Sequence, residues 1–587
     1  MESVARHRAV SRVADSIGCR QEGRRTMTYR VITATLAART AVHIGSGEGN
    51  NLTDALLRRD TQGQLFIPGT AIAGVLRSLL TRLAPRFGLA PCAALTGGGD
   101  SCSCSVCHLF GDVNPTDEEE SQSAASRLLV FNATPVGKLS RSLIRDGVGI
   151  DRATGAAARA GAVKFDLEVL PAGAAFSLRL ELRDPTPKDE ALLAAGLAEW
   201  EAGRLWLGGN VARGLGAFEL SNLEYRTLPL EQPEQVLAFL RNDKPWQQAQ
   251  AQPDWLARQV ESLRPVSADD QPRAVARGWL SFTGTLQAEG PLLTNDTLVS
   301  GMTGFDHAPL LQLGDWQHPV LTGASVRGVL RSHAERIART LATCNAANAT
   351  AFPQKCPACS PVESRKDAPL ASCDTLLKER IPSDEIVGDK HLCLACRLFG
   401  STRRGSRLIV EDAPFASDKP VLKMLDFLAI DRFTGGGAEG AKFDALALWK
   451  PAFALRLHLE NPEPWELGWL ALVLRDLTEG WLQVGFGAAK GFGRIRLQDW
   501  TATFGYLTPA DAPAVAALGL SSQRSGVYTA VQVTAATADW QALAQQWVNE
   551  FQKQVNDFSR PENLGLTADS YFGRVDSLYP VLKGGAQ

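Results

Sequence analysis

The sequence has no apolar stretch long enough to cross a bilayer, so no membrane-spanning helix is expected and the chain reads as cytoplasmic. Residues 1–26 are rich in arginine but lack an apolar segment, which argues against a secretory signal. They read as a disordered tail, with Met27 as an alternative start. Bulk charge is missing too: 61 Lys and Arg face 63 Asp and Glu, for a formal net charge of −2. Any nucleic-acid role therefore needs a local basic surface. No HExxH cluster is present, which argues against an unrelated zinc hydrolase. What remains is an ordinary globular composition, 45% hydrophobic and 21% charged, long enough for about two to four domains.

The chain then says the same thing twice. Motifs between Thr28 and Arg226 return in the same order between Gly278 and Trp500. GTAIAGVLRSLL (69–80) returns as GASVRGVLRSHA (323–334), and CSVCHLFG (104–111) as CLACRLFG (393–400). IDRATG followed by KFD (150–155, 164–166) returns as IDRFTG followed by KFD (430–435, 442–444). GGNVARGLGAFEL (208–220) returns as GFGAAKGFGRIRL (485–497). A repeat this long is a whole domain in tandem, not a solenoid unit. The second copy is longer before its CxxC, and the first is longer after LFG, where an acidic loop is expected.

Each copy reads strand, helix, strand, strand, helix, strand. That order gives an α+β fold of two tandem ferredoxin-like (RRM-like) βαββαβ domains. Thr70 is the expected cap of the first helix. The expected division is a tail over 1–26, a first domain over 27–226, a linker over 227–275, a second domain over 276–504 and a helical extension over 505–587. In the extension, Trp540, Leu543, Trp547 and Phe551 share one helical face, to pack on the second domain or to dock a partner.

The cysteines fall in two groups, with Cys19 and Cys344 apart. Cys356, Cys359, Cys393 and Cys396 form a CxxC…CxxC set that points to tetrahedral zinc, with Cys373 and His391 in reserve. Cys92, Cys102, Cys104 and Cys107 form the corresponding set in the first copy, with His108 as an alternative ligand. Both sets are thiolate-rich and leave no open position, so they read as structural zinc clips. The Gly-rich ends pair Arg213 with Gly208, Gly209 and Gly214, and Lys490 with Gly485 and Gly491. Glycine lets a backbone approach a phosphate, and the neighbouring cation supplies charge. The helix positions Gly74 and Arg77 match Gly328 and Arg331, with Arg327 added in the second copy.

Taken together, HIGSG with Asp54, IPGTAIAGVLRS, CxxCxLFG, SRL, IDRxTG and the Gly-rich end make the chain similar to the RAMP superfamily. It most resembles a tandem form of the Cas seven-type backbone subunits of type III CRISPR effector complexes, as in type III-D variant systems. The resemblance implies crRNA, complementary target RNA and other subunits of such a complex as partners. It makes Arg77, Arg331, Arg327, Arg213, Lys490, Arg152 and Arg432 RNA-binding residues, and places IDRxTG at the base of a thumb hairpin that crosses the guide–target duplex. It also implies catalytic roles for Asp54 and Asp306, with Mg2+ or Mn2+, in cutting target RNA beside a displaced nucleotide. His43 and His307 are neighbouring candidates for proton transfer. The alternatives are a purely structural crRNA-binding subunit and a guide-precursor endoribonuclease.

Overall fold

The computed structural model describes residues 27–92, 102–112, 125–152, 155–158, 164–269, 274–311, 317–347, 351–361, 370–380 and 387–560. The expected tail 1–26, Cys19, most of the acidic loop after LFG and the end of the chain after 560 lie outside these residues.

The first domain begins with β1 (Met27–Ala38), in which Ile32, Ala34, Leu36 and Ala38 alternate inward. Helix α1 (Gly69–Leu83) lays Ile72, Leu76, Leu80 and Leu83 on that face. The short α2 (Ser105–Phe110) and β2 (Leu128–Val130) follow. A hairpin of β3 (Leu143–Val148) and β4 (Lys164–Val169) is inserted before β5 (Ala175–Leu182). Helix α3 (Pro187–Glu201) starts at a Thr186–Asp189 capping box, and β6 (Phe218–Leu230) closes the domain. The antiparallel sheet runs β2-β5-β1-β6, the strand order of a ferredoxin-like fold. Thr70 does not cap α1: Pro68 holds the cap position, no side chain caps it, and Thr70 lies inside the first turn.

The second domain repeats this plan with β7 (Gly278–Ala288), α4 (Gly323–Asn345), α5 (Leu394–Phe399) and β8 (Leu408–Val410). Its hairpin is β9 (Leu422–Ile430) with β10 (Gly437–Trp449), followed by β11 (Ala452–Glu460), α6 (Pro464–Thr478) and β12 (Ile495–Tyr506). The sheet order β8-β11-β7-β12 matches the first, but β14 (Tyr528–Thr534) and β13 (Ser522–Ser525) continue it. The region after 505 is therefore part sheet, an element its sequence did not announce. Helix α7 (Trp540–Asp557) buries Leu543, Trp547, Phe551 and Val555. Gly468 of α6 makes that packing possible, because a Cβ there would lie 2.0 Å from the Trp547 carbonyl oxygen.

The halves meet through buried polar contacts. Arg86 is fully buried and donates to both carboxylate oxygens of Asp511, at 2.9 and 2.8 Å. Arg39 grips Glu411, and Arg145 of β3 donates to buried Asp412 at 2.5 Å. Asp412 also accepts from the Gly323 amide at the start of α4.

Candidate functional site

The two candidate acids occupy equivalent places although their loops differ in sequence. Asp54 accepts a hydrogen bond from the Asp166 amide of β4 at 2.8 Å. Asp306 accepts from the Asp444 amide of β10 at 2.9 Å, and Asp444 in turn accepts from the Asp306 amide at 2.8 Å. Asp166 and Asp444 are the aspartates of the two KFD motifs. In each domain the residue after the acid forms a parallel bridge to the residue after KFD: Ala55 with Leu167, and His307 with Ala445. Each acid is thus fixed, solvent-exposed, against the middle of a hairpin.

Sequence reasoning missed a second carboxylate across each hairpin. Asp146 faces Asp166 across the first hairpin, and Asp426 faces Asp444 across the second. The Asp146 carboxyl, aided by some desolvation, raises Asp166 above the usual carboxylate range. A repeated Asp shortly before each IDR was the available signal.

IDRxTG corrects an expectation. It follows β3 and joins β9 to β10, so it forms the turn end of each hairpin, while KFD lies nearer the root. Asp431 Oδ1 accepts from the amides of Phe433 and Thr434 and from the Thr434 hydroxyl, which folds the turn. Phe433 stands 99% exposed at its tip.

The histidines differ, for His43 is hydrogen-bonded to the framework while His307 Nδ1 is buried with no partner among the described residues. His43 is buried, with Nδ1 2.7 Å from the Glu168 carbonyl oxygen. His307 packs against Phe486, ring centroids 4.4 Å apart. Gly208 and Gly485 serve close packing: an added Cβ would lie 2.3 Å from the His43 carbonyl and 2.4 Å from the Leu293 carbonyl. The Gly209 amide donates to that same His43 carbonyl. Gly214 packs against the second domain, whereas a Cβ on its counterpart Gly491 would meet nothing. Arg213 and Lys490 lie over the equivalent rings Phe165 and Phe443, at 5.5 and 5.7 Å from the centroids.

The other cations divide. Arg331 is buried between Glu335 and the Cys396 sulfur, so it is turned away from any surface ligand. Arg152 donates to Glu335 at 3.0 Å, and Arg77 donates to the Cys107 sulfur at 3.3 Å. Exposure and charge, legible in sequence, could not reveal these internal partners. Arg432 remains exposed at the second turn. Arg327 is half-buried near Arg331, Arg213 and Arg152, and its Nε has no partner among the described residues. Burial and those cations push it down to about 9, so a phosphate there would be favoured. Gly74 and Gly328 lie mid-helix, yet an added Cβ would meet nothing at either. Packing inside the chain therefore does not explain them.

The cysteines gather into two tetrads, each with its sulfurs within 4.8 Å of one another: Cys92, Cys102, Cys104, Cys107 and Cys359, Cys373, Cys393, Cys396. The first is the expected set. His108 is not needed there, since its Nδ1 faces the Asp189 carboxylate at 2.9 Å. In the second, Cys373 replaces Cys356, whose thiol donates to the Ala358 carbonyl at 3.3 Å. His391 instead accepts from the Gly388 amide. The sulfurs are free thiols. Close pairs, Cys92–Cys107 at 3.6 Å and Cys359–Cys396 at 3.5 Å, suit the edge of roughly 3.8 Å that tetrahedral zinc–sulfur bonds require. Burial pushes the Cys104 thiol up to about 11, so a cation is needed to keep it ionised. Both tetrads can hold a metal ion.

No helix among the described residues is long and apolar enough to cross a membrane. No curated protein matches the chain. The family model of the RAMP superfamily matches it twice, over residues 35–219 and 285–496. With two ferredoxin-like sheets, two matched hairpins and two family matches that cover most of its length, the chain belongs to the RAMP superfamily and carries the domain in tandem.

Proposed function

We propose that this chain is a guide-RNA-binding backbone subunit of a type III CRISPR effector complex, of the type III-D variant kind, which cuts complementary target RNA at two sites, one per domain. The observation that carries this reading is the matched anchoring of Asp54 and Asp306 to the KFD strands of two hairpins. Unrelated loop sequences deliver a carboxylate to the same place twice.

Guide phosphates would lie along Arg213, Arg327, Lys490 and Arg432, where several cations are needed for useful affinity. The open helix glycines Gly74 and Gly328 keep a path for a backbone from outside the chain. Exposed Phe433 is placed to stack on a base that the second hairpin displaces. At each displaced nucleotide the aspartate takes the proton of the ribose 2′-hydroxyl. The 2′-oxygen attacks phosphorus in line, the bond to the 5′-oxygen breaks, and the leaving oxygen takes a proton from solvent water, which gives a 2′,3′-cyclic phosphate and a 5′-hydroxyl. A Mg2+ or Mn2+ ion bound near these carboxylates would neutralise charge on the phosphate. Zinc in the two cysteine tetrads is structural. The open Gly491 surface of the second domain is where a following subunit of the complex would sit.

A second reading is favoured by one observation: Asp306 and Asp444 bind each other's amides, as braces for the hairpin do. The chain would then bind RNA without cutting it. A complex assembled with guide RNA and given complementary target and Mg2+ or Mn2+ separates the two. We expect cutting at two positions, lost in the Asp54→Ala/Asp306→Ala double variant while guide and target binding persist. Unchanged cutting by that variant removes both acids from the mechanism.

A further inference from the structure

A cavity lies where the first domain covers one end of the second sheet. Trp279 and Ser281 of β7, Arg456 and His458 of β11 and Thr503 of β12 line it from the sheet. Arg204 and Trp206, in the loop after α3, line it from the first domain, and Glu411 borders it. Its volume is about 100 Å³, room for several waters or for one phosphate group. Gly505 makes the seat for Trp279, because a Cβ there would lie 2.1 Å from the indole ring.

The groups left free around this cavity are mostly donors. Trp279 and His458 are each only 5% exposed, yet the Trp279 Nε1–H and the His458 ring have no hydrogen-bond partner among the described residues. Ser281 stands in register with His458 on one side and Thr503 on the other, and neither hydroxyl has a partner among the described residues. The carboxylate at the border is already engaged: Glu411 accepts from Arg39 at 3.0 and 2.6 Å and from Trp206 Nε1 at 3.3 Å. Arg204 is held by Glu199 at 2.6 Å. Arg456 is held loosely, 47% exposed, with its Nε 3.8 Å from Glu411. Free donors beside a spare guanidinium call for a ligand that accepts hydrogen bonds and carries negative charge.

The first sheet has no such vacancy. By strand register, Val31, Glu181 and Arg226 match Ser281, His458 and Thr503. There Tyr29 donates to Glu181 at 2.7 Å, and Arg226 donates to Glu224 at 2.7 Å. Arg179, which matches Arg456, lies between the rings of Phe131 and Trp246, 3.7 and 4.3 Å from their centroids. The second sheet keeps these positions and lacks the partners.

We propose that the cavity binds a phosphate group, free or carried by a nucleotide, through Arg456, Ser281, Thr503 and His458, with Arg204 and Trp206 of the first domain opposite. Such a group ties the loop after α3 to the second sheet. His458 serves as a neutral donor, since burial, with Arg204, Arg82 and Arg39 nearby, pushes it down to about 3. The inference does not rest on RNA binding or cutting.

Isothermal titration of the full chain with inorganic phosphate, at constant ionic strength, tests it. We expect a saturable component of one ion per chain. Arg456→Met and Thr503→Val should each weaken it by roughly tenfold, the scale of one hydrogen bond to a charged group. Phosphate should also raise the urea midpoint of the wild type more than that of either variant. Adenosine 5′-monophosphate added to the phosphate-saturated chain separates the two sources: displacement of phosphate assigns the site to a nucleotide, and no displacement assigns it to the free ion. No saturable component, or one that both variants keep unchanged, would overturn the inference.

Discussion

The two hairpins share a root and differ in their surroundings. The first is clasped by the neighbouring domain, through Arg145 on Asp412 and Arg152 on Glu335. The second makes no ion pair to the other domain among the described residues, and Met424, Ile430 and Phe433 stand exposed along it. The residue matching Arg145 is Leu425, packed against a small core of Leu293, Ala445, Ala447 and Phe492. The Gly-rich loops repeat the contrast. Gly214 is pressed against Gly323 and Asp412, while Gly491 is open. The copies keep what each domain needs internally and differ where one has a neighbour within the chain.

The contrast breaks most readily at Arg145. Giving the first hairpin the residue of the second, Arg145→Leu, strands buried Asp412 without its cation. We expect a loss of about 3–5 kcal/mol in chemical denaturation, as for other broken buried pairs. Leu425→Ala, at the matched position, should instead cost about 2–3 kcal/mol of packing and leave the joint intact.

Acid should act on the same joint, step by step rather than all at once. His458 is buried beside Trp206 of the first domain and Trp279, at centroid distances of 4.9 and 6.1 Å. Burial, with help from nearby arginines, lowers it to about 3. The folded group stays neutral while the unfolded one titrates near its ordinary value of about 6.5. Its contribution is therefore complete above about 6.5 and declines as pH falls toward about 3, by at most about 1.4 kcal/mol per pH unit. Urea midpoints measured across that range should fall with acidity, and His458→Phe should flatten the slope.

The smallest effects belong to the open glycines. Gly74→Ala and Gly328→Ala should each stabilise the free protein by about 1 kcal/mol, since an added methyl meets nothing and helix propensity rises. Guide-RNA binding in a filter or fluorescence assay should weaken in both. Tighter binding would show that the positions are not a backbone path.

Much of this was legible in the sequence, because repetition aligns the chain with itself. Strand alternation and the doubled GxxxxGVLRS helix led to the paired sheets, and the first cysteine set was readable from spacing. Other features depend on long-range partners. Nothing local distinguishes Arg331, which faces a buried glutamate, from Arg327, whose Nε lacks one. Cys356 carries the better CxxC spacing, yet its thiol turns to a backbone carbonyl and Cys373, on a separate short helix, completes the tetrad. The strands after 505 were missed because SQRS is polar and only its pairing with Tyr528–Thr534 makes it a strand.

The most direct test is to map the ends of the products released from one guide-matched target RNA. Matched placement of Asp54 and Asp306 predicts two cuts in wild type, with Asp54→Ala erasing one and Asp306→Ala erasing the other. If either single variant erased both cuts, or neither variant changed the pattern, two equivalent and independent sites would be contradicted.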